Sequence, residues 1–208
     1  IVVRGPSYPV FGFRAEIQDV KVVRYPLFYD NGWQIDLHAL EQAITSRARG
    51  VIVVHPNNPT GHFAKPADRE RLNALCSARD LALIADEVFL DFHLGVHPPP
   101  SFAGNGETLT FTMSGLSKIC GLPQMKAAWL VVSGPQKWKG EALARLEIVA
   151  DTYLSMNAPV QLAMPSFLDQ RRTFQHQLMA RVRQNLAELD QQLALQEVCS
   201  RLELEGGW

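Results

Sequence analysis

Four residues in this chain could act on one small molecule, and each follows directly after a stretch that reads as a β-strand. Lys118 lies beyond the alternating run that opens at Thr108, after the break at Ser114-Gly115. Asp86 ends the apolar run Leu81 to Ala85, Asn57-Asn58 follow Val51 to Val54, and Tyr8 sits in the turn cluster after Ile1 to Arg4. A lysine amine can form an imine with an aldehyde. A carboxylate can keep a heteroaromatic nitrogen protonated, which makes its ring an electron sink. An asparagine amide can donate to a phenolate oxygen, and an aromatic side chain can stack on a flat ring. A lone lysine at a strand end means little, because most lysines are solvated surface groups. Four matching strand ends mean more.

These ends need a scaffold that aligns them. Val51 to Val54 is a β-branched run of the kind found in strands buried on both faces. Lys21 to Tyr25 reads as a further strand followed by a loop. Helices are expected between the strands. One runs from about Val10 to Asp19. Another starts at Asp36 as N-cap, with Leu37, Leu40 and Ile44 on one face, and closes near Gly50. A third has Pro66 in its first turn and Leu72, Leu75 and Cys76 inward. After Thr108–Met113, the run Ala127 to Val132 follows too closely for a parallel crossover and should pair antiparallel. From Pro135 the pattern turns helical. One helix runs to about Tyr153, a second spans Ala158 to Asp169, and a long third starts near Phe174. Alternating buried strands and amphipathic helices specify an α/β fold of three layers, a mostly parallel sheet with helices on both faces. In such sheets ligands lie outside the carboxyl ends of the strands, where all four residues fall.

Composition sets further bounds. The 208 residues are 47% hydrophobic and 20% charged, enough for a sizeable core. A net charge of −1 gives no electrostatic reason to expect nucleic acid or a membrane surface as partner. No apolar run is long enough to cross a bilayer. Three widely spaced cysteines, Cys76, Cys120 and Cys199, form neither a disulfide framework nor a metal-ligand spacing, which points to a reducing, cytoplasmic compartment. His55, His93 and His97 lack the helical spacing of a metal pair and read as loop histidines, and Cys120 reads as a packing residue. The arginines at 171, 172, 181 and 183 read as a solvated helix face.

The combined needs of amine, carboxylate, amide and stacking ring are those of pyridoxal 5′-phosphate. The residues also carry a resemblance. Asn57-Asn58-Pro59-Thr60-Gly61, Asp86-Glu87-Val88-Phe89, and Ser114-Gly115-Leu116-Ser117-Lys118 with Gly121-Leu122-Pro123 and Lys126 resemble the class I/II aminotransferases of the fold-type I pyridoxal-phosphate enzymes. Pro6-Ser7-Tyr8-Pro9 resembles that family's ring-stacking loop, and Gly206-Gly207-Trp208 the opening of its small-domain strand. The resemblance implies an aspartate aminotransferase-like large domain over residues 1–170, with residues 171–208 forming the interdomain helix and the start of a smaller α+β domain. It implies that Lys118 is the Schiff-base lysine and proton shuttle, and that Asp86 pairs with the pyridine nitrogen. Asn58 would bond the 3′-oxygen, Tyr8 and Val88 would cover the two ring faces, and Ser117 and Lys126 would hold the phosphate. It also suggests a cis bond between Asn58 and Pro59.

Two positions depart from the family pattern. Phe89 stands where a tyrosine usually adds a second donor to the 3′-oxygen, so the imine should protonate at higher pH than usual. Lys126 stands where an arginine is usual, and it can meet phosphate only as a point charge. The implied activity is transfer of an amino group between a small α-amino acid and a 2-oxo acid, by a homodimer. Other reactions of the same cofactor (lyase, decarboxylase, synthase) share these motifs. So does a non-catalytic sensor domain of a transcription regulator. Because the chain opens inside one strand and stops at the edge of another, the expected substrate-carboxylate arginine and phosphate turn would lie outside it.

Overall fold

The computed structural model describes residues 1–208. Seven strands form one sheet: β1 (Val2–Gly5), β2 (Val23–Tyr29), β3 (Trp33–Ile35), β4 (Gly50–Val54), β5 (Ala82–Asp86), β6 (Thr110–Gly115) and β7 (Ala128–Ser133), in the order β3-β2-β1-β4-β5-β6-β7. The β2–β1–β4–β5–β6 pairings are parallel. Only the edge strands β3 and β7 run antiparallel to their neighbours. All five residues of β4 are buried, as a central parallel strand requires.

Helices α1 (Val10–Ile17), α2 (Leu37–Ala43), α3 (Pro66–Ala78), α4 (Leu116–Ile119), α5 (Gln136–Tyr153) and α6 (Ala158–Ala194) make up the helical part. The main core joins Val51, Val53, Leu83 and Ala85 of the sheet to Leu40 of α2 and Leu72 and Cys76 of α3. The opposite sheet face carries Val3, Ile52 and Val54, with Phe11 of α1 against them. A third cluster packs Leu116 and Ile119 of α4 onto Val160 and its neighbours at the start of α6. No helix is long and apolar enough to cross a membrane.

Local rules explain most elements. Asp36 caps α2 as expected, its carboxylate accepting from the Ala39 N–H at 2.8 Å. Pro66 opens α3 at a position where a missing N–H costs nothing. Several expectations need correction. Helix α2 ends at Ala43, well before Gly50, because Thr45 to Ala48 form a single turn, with Ala48 N donating to the Thr45 carbonyl, instead of a further helical turn. The segment after β2 is no simple loop. It turns at Asp30-Asn31-Gly32, with Asn31 and Gly32 at positive φ, and returns as β3. The two helices expected over 158–169 and from 174 are one continuous helix, α6, with Pro165 inside it. Residues 170–173 carry no breaker, so nothing ends the helix where the apolar spacing lapses. The Asn58–Pro59 bond is cis, and so are Gly5–Pro6 and His55–Pro56.

Candidate active site

The register sets the site. Val54 of β4, Asp86 of β5 and Met113 of β6 lie side by side, so the loops that follow these strands open at one level. Asn58 leaves the first loop, Asp86 tops the central strand, and Lys118 follows the third. Lys118 lies in the single helical turn α4 and not in an open loop. Gly115 permits this turn. A Cβ there would sit 2.8 Å from the Ala127 carbonyl, so only glycine lets the end of β6 press this closely on the start of β7.

Asp86 is largely buried, and burial raises its carboxyl above the usual range. The Val88 N–H and the nearby Lys118 ammonium act in the opposite sense. Its Oδ1 accepts from the Val88 N–H at 3.2 Å, and no hydrogen bond within the chain engages Oδ2. The Lys118 Nζ, the Asn58 amide, the Ser117 hydroxyl and the Tyr8 hydroxyl likewise make no hydrogen bond within the chain. Tyr8 is exposed at the carboxyl end of β1, Val88 and Phe89 are half-buried, and Lys126 is exposed at left-handed φ after a short 3-10 turn. No hydrogen bond joins Ser117 to Lys126.

A second layer, missed in the sequence, fixes these groups. His55, the first residue after β4, is fully buried. Its Nδ1 accepts from the Ala64 N–H at 3.1 Å, leaving Nε2–H to donate to the Pro100 carbonyl at 3.3 Å. Burial and the charge of Arg4 lower its pKa to about 3, so the ring is neutral. The fully buried Arg4 donates from Nη1 to His62 Nε2 at 3.1 Å. His62 must then carry its proton on Nδ1 and donate to Thr60 Oγ1 at 2.8 Å. Asn57 donates to the same hydroxyl and to the Pro6 carbonyl. The loop bearing Asn58 is thereby tied to the end of β1, the loop that bears Tyr8. Beside Asp86, Glu87 accepts from Ser101 Oγ and Phe102 N, both at 2.6 Å, and Arg69 lies 4.0 Å over the Phe102 ring.

The last residues close the site. Glu205 N donates to the Gly61 carbonyl, Leu94 N to the Glu205 carbonyl and Gly207 N to the Phe92 carbonyl, while the Glu205 carboxylate pairs with Lys65. These bonds carry the Trp208 ring to the amine. Lys118 Nζ lies 5.2 Å from the Phe89 centroid and 5.2 Å from that of Trp208. Asn58, Phe89 and Trp208 border one cavity of about 660 Å³.

The free groups are an amine, a carboxylate oxygen, an amide, hydroxyls and a surface ammonium, all in segments at the carboxyl ends of the strands; of the expected site residues, Asn58 and Phe89 line the cavity, while Tyr8, Asp86, Val88, Ser117, Lys118 and Lys126 do not. This donor set fits pyridoxal phosphate. Across residues 1–203 the chain matches the family described as aminotransferase class I and II. The chain belongs to that family. Pyridoxal phosphate is the family's cofactor. Among relatives, the chain is 28% identical to the glutamate–pyruvate aminotransferase of Escherichia coli over 169 residues, 81% of this chain and 42% of that protein. It is also 28% identical to an alanine aminotransferase of Mycobacterium tuberculosis, over 79% of this chain and 38% of that one. Among solved structures, an N-succinyldiaminopimelate aminotransferase from M. tuberculosis superposes with a TM-score of 0.76 at 27% identity, over 90% of this chain and 48% of that one. An alanine aminotransferase from Pyrococcus furiosus gives 0.86 at 22% identity over 99% and 52%, and shows the aspartate aminotransferase-like fold. The chain thus spans about half the length, or less, of the relatives it matches.

Proposed function

We propose that the full-length protein is a pyridoxal-phosphate-dependent aminotransferase that moves an amino group between a small α-amino acid and a 2-oxo acid. The observation that supports this reading is the level register of β4, β5 and β6, with Asn58 in the loop after β4, Asp86 at the end of β5 and Lys118 in the turn after β6. When bound, pyridoxal phosphate supplies an electrophilic carbon and a ring that accepts the electrons left when the substrate Cα loses its proton. Asp86 would hold the ring nitrogen protonated. Asn58 would donate to the 3′-oxygen, and Phe89, lacking a hydroxyl, would add no second donor. Lys118 would hold the cofactor through its amine, and that amine is the base that would take and return the substrate's Cα proton. Tyr8 and Val88 would cover the two ring faces. Ser117 and Lys126 would meet the phosphate, Lys126 as a point charge.

The same proposal divides the chain into a cofactor-binding domain, residues 1–170, and an interdomain helix with the start of a smaller domain, residues 171–208. Supporting this, the first turns of α6 pack on α4 while its later turns face the segment that ends in Trp208. A homodimer is part of the reading, supported by exposed apolar side chains such as Ile148 and Leu154 at the end of α5. Unpaired Cys76, Cys120 and Cys199 support a cytoplasmic location. The test is borohydride reduction of the full-length, cofactor-loaded protein followed by peptide mapping. The pyridoxyl group is expected on Lys118, and its appearance on Lys65 or Lys126 instead overturns the assignment.

A further inference from the structure

Resting on the aminotransferase reading above, we propose that Arg4 is a positioning residue for Asn58: it fixes the proton of His62, and through Thr60 and Asn57 it sets the direction from which the Asn58 amide meets the cofactor.

Arg4 has no exposed surface, and Asn57, Thr60 and His62 are buried with it. Their partners are therefore the groups packed around them within this chain. A guanidinium only donates, so the bond from Arg4 Nη1 at 3.1 Å makes His62 Nε2 an acceptor. The neutral ring then carries its proton on Nδ1 and donates it to Thr60 Oγ1 at 2.8 Å. Asn57 Nδ2 donates to the same oxygen at 2.8 Å and to the Pro6 carbonyl at 3.2 Å. An inverted Asn57 amide would set its oxygen against that carbonyl. Without the guanidinium nothing selects this His62 tautomer, and Thr60 loses its fixed donor.

The same residues hold the backbone before Asn58. Asn57 N donates to the His62 carbonyl at 2.8 Å, and the Asn57 carbonyl accepts from Gly61 N at 2.7 Å. Asn57 is thus held by side chain and backbone alike, while the Asn58 side chain makes no hydrogen bond within the chain. The aim of the Asn58 amide is inherited from Asn57. The bond to Pro6, two residues before Tyr8, sets that amide in register with the ring-stacking loop. Phe89 has no hydroxyl to share the task, which makes the aim of Asn58 matter more. Stability by itself favours an apolar side chain over a buried charge, so what Arg4 adds is the direction of these bonds.

The readout is the pH at which the cofactor–lysine chromophore of full-length, cofactor-loaded protein changes colour. A misdirected Asn58 donates less to the 3′-oxygen, the anion is less stabilised, and the midpoint rises. Arg4→Met should raise it by about 0.4–1 pH unit, the scale of one hydrogen bond. Thr60→Val removes no charge and leaves Arg4 paired with His62, so it isolates the hydrogen-bond path, and it should raise the midpoint similarly. The double variant should shift no further than Arg4→Met alone, because both changes cut one chain. His55 and His62 stay neutral over the measured range, and Asp86 and Lys118 are common to all variants. The control is Asn73→Ala, which breaks a buried pair with Asn105 beside the first residue of β6 and should leave the midpoint unmoved.

An unmoved or lowered midpoint in Thr60→Val overturns the inference whether or not Arg4→Met folds. Additive shifts in the double variant, or an equal shift in Asn73→Ala, overturn it too. Borohydride labelling of the unaltered protein separates the two levels. Label on Lys118 with midpoints that do not move sinks the role of Arg4 alone, whereas no label on Lys118 sinks the aminotransferase reading and this inference with it.

Discussion

Lowering the pH from 7 to 5 should destabilise the full-length protein through two buried histidines, His55 and His62. Both are neutral in the fold, because burial and then the neighbouring Arg4 charge lower their pKa from 6.5 to about 3. Unfolded, they take up protons below pH 6.5. Folded, they do so only below about 3. The folded-state pKa is depressed, so the unfolded chain binds more protons between these values, and stability falls as pH falls through that window. Each unit of pH costs about 1.4 kcal/mol for each fully differential group. At pH 5.0 the pair together would cost about 4 kcal/mol, a large share of the ~5–15 kcal/mol that holds a typical domain folded. Asp86 and Glu87 work in the opposite direction. Their carboxyls are raised by burial, so protonating them favours the fold, in a window that begins above their usual 3.8 and 4.5. The readout is therefore the difference between two proteins. Urea midpoints of wild type and His62→Gln, measured from pH 7.5 to 5.0, should show a shallower pH slope in the variant, by about 1.4 kcal/mol per unit below pH 6.5. The variant will be less stable at pH 7, since a flexible amide replaces the rigid ring that accepts from Arg4 Nη1 and donates to Thr60 Oγ1. Parallel slopes in the two proteins would refute the claim that His62 is held neutral.

Other perturbations address the site. Asp86→Asn should lower turnover by roughly 10²–10³-fold with the fold intact, the scale of losing one preorganised electrostatic contact; near-normal turnover would show that Asp86 does not meet the ring. Phe89→Tyr should lower the pH at which the cofactor–lysine chromophore changes colour, since the added phenol can stabilise the 3′-oxygen anion; no shift in a spectral titration, or an upward one, would mean that residue 89 does not face the cofactor. Gly206→Ala should destabilise by roughly 1–3 kcal/mol, as overpacking does, because its Cβ would lie 2.6 Å from the Phe92 carbonyl and 2.8 Å from the Phe63 ring. A thermal melt checks this, and an unchanged midpoint would show that the 203–207 segment is not docked as described.

The sequence alone determined the elements whose causes are local. The buried run of β4, the Asp36 cap, the Pro66 helix start and the antiparallel return of β7 each follow from a few neighbouring residues. So does the placing of the candidate site residues, because a parallel sheet sets whatever follows its strands at one edge. Some local signals were present and unread. Asp30-Asn31-Gly32 is a turn sequence that announces β3, and residues 170–173 contain nothing that would stop α6. The tertiary structure decided what depends on contacts distant in sequence. Arg4 looks like the charged end of a strand, and only its position between β2 and β4 seals it from water and turns His62 into its acceptor. His55 reads as a loop histidine until Ala64 and Pro100 enclose it. Trp208 meets Lys118 because backbone bonds to Gly61, Phe92 and Leu94 carry it there, and backbone groups are the same in every residue, so no side-chain pattern could have revealed that pairing.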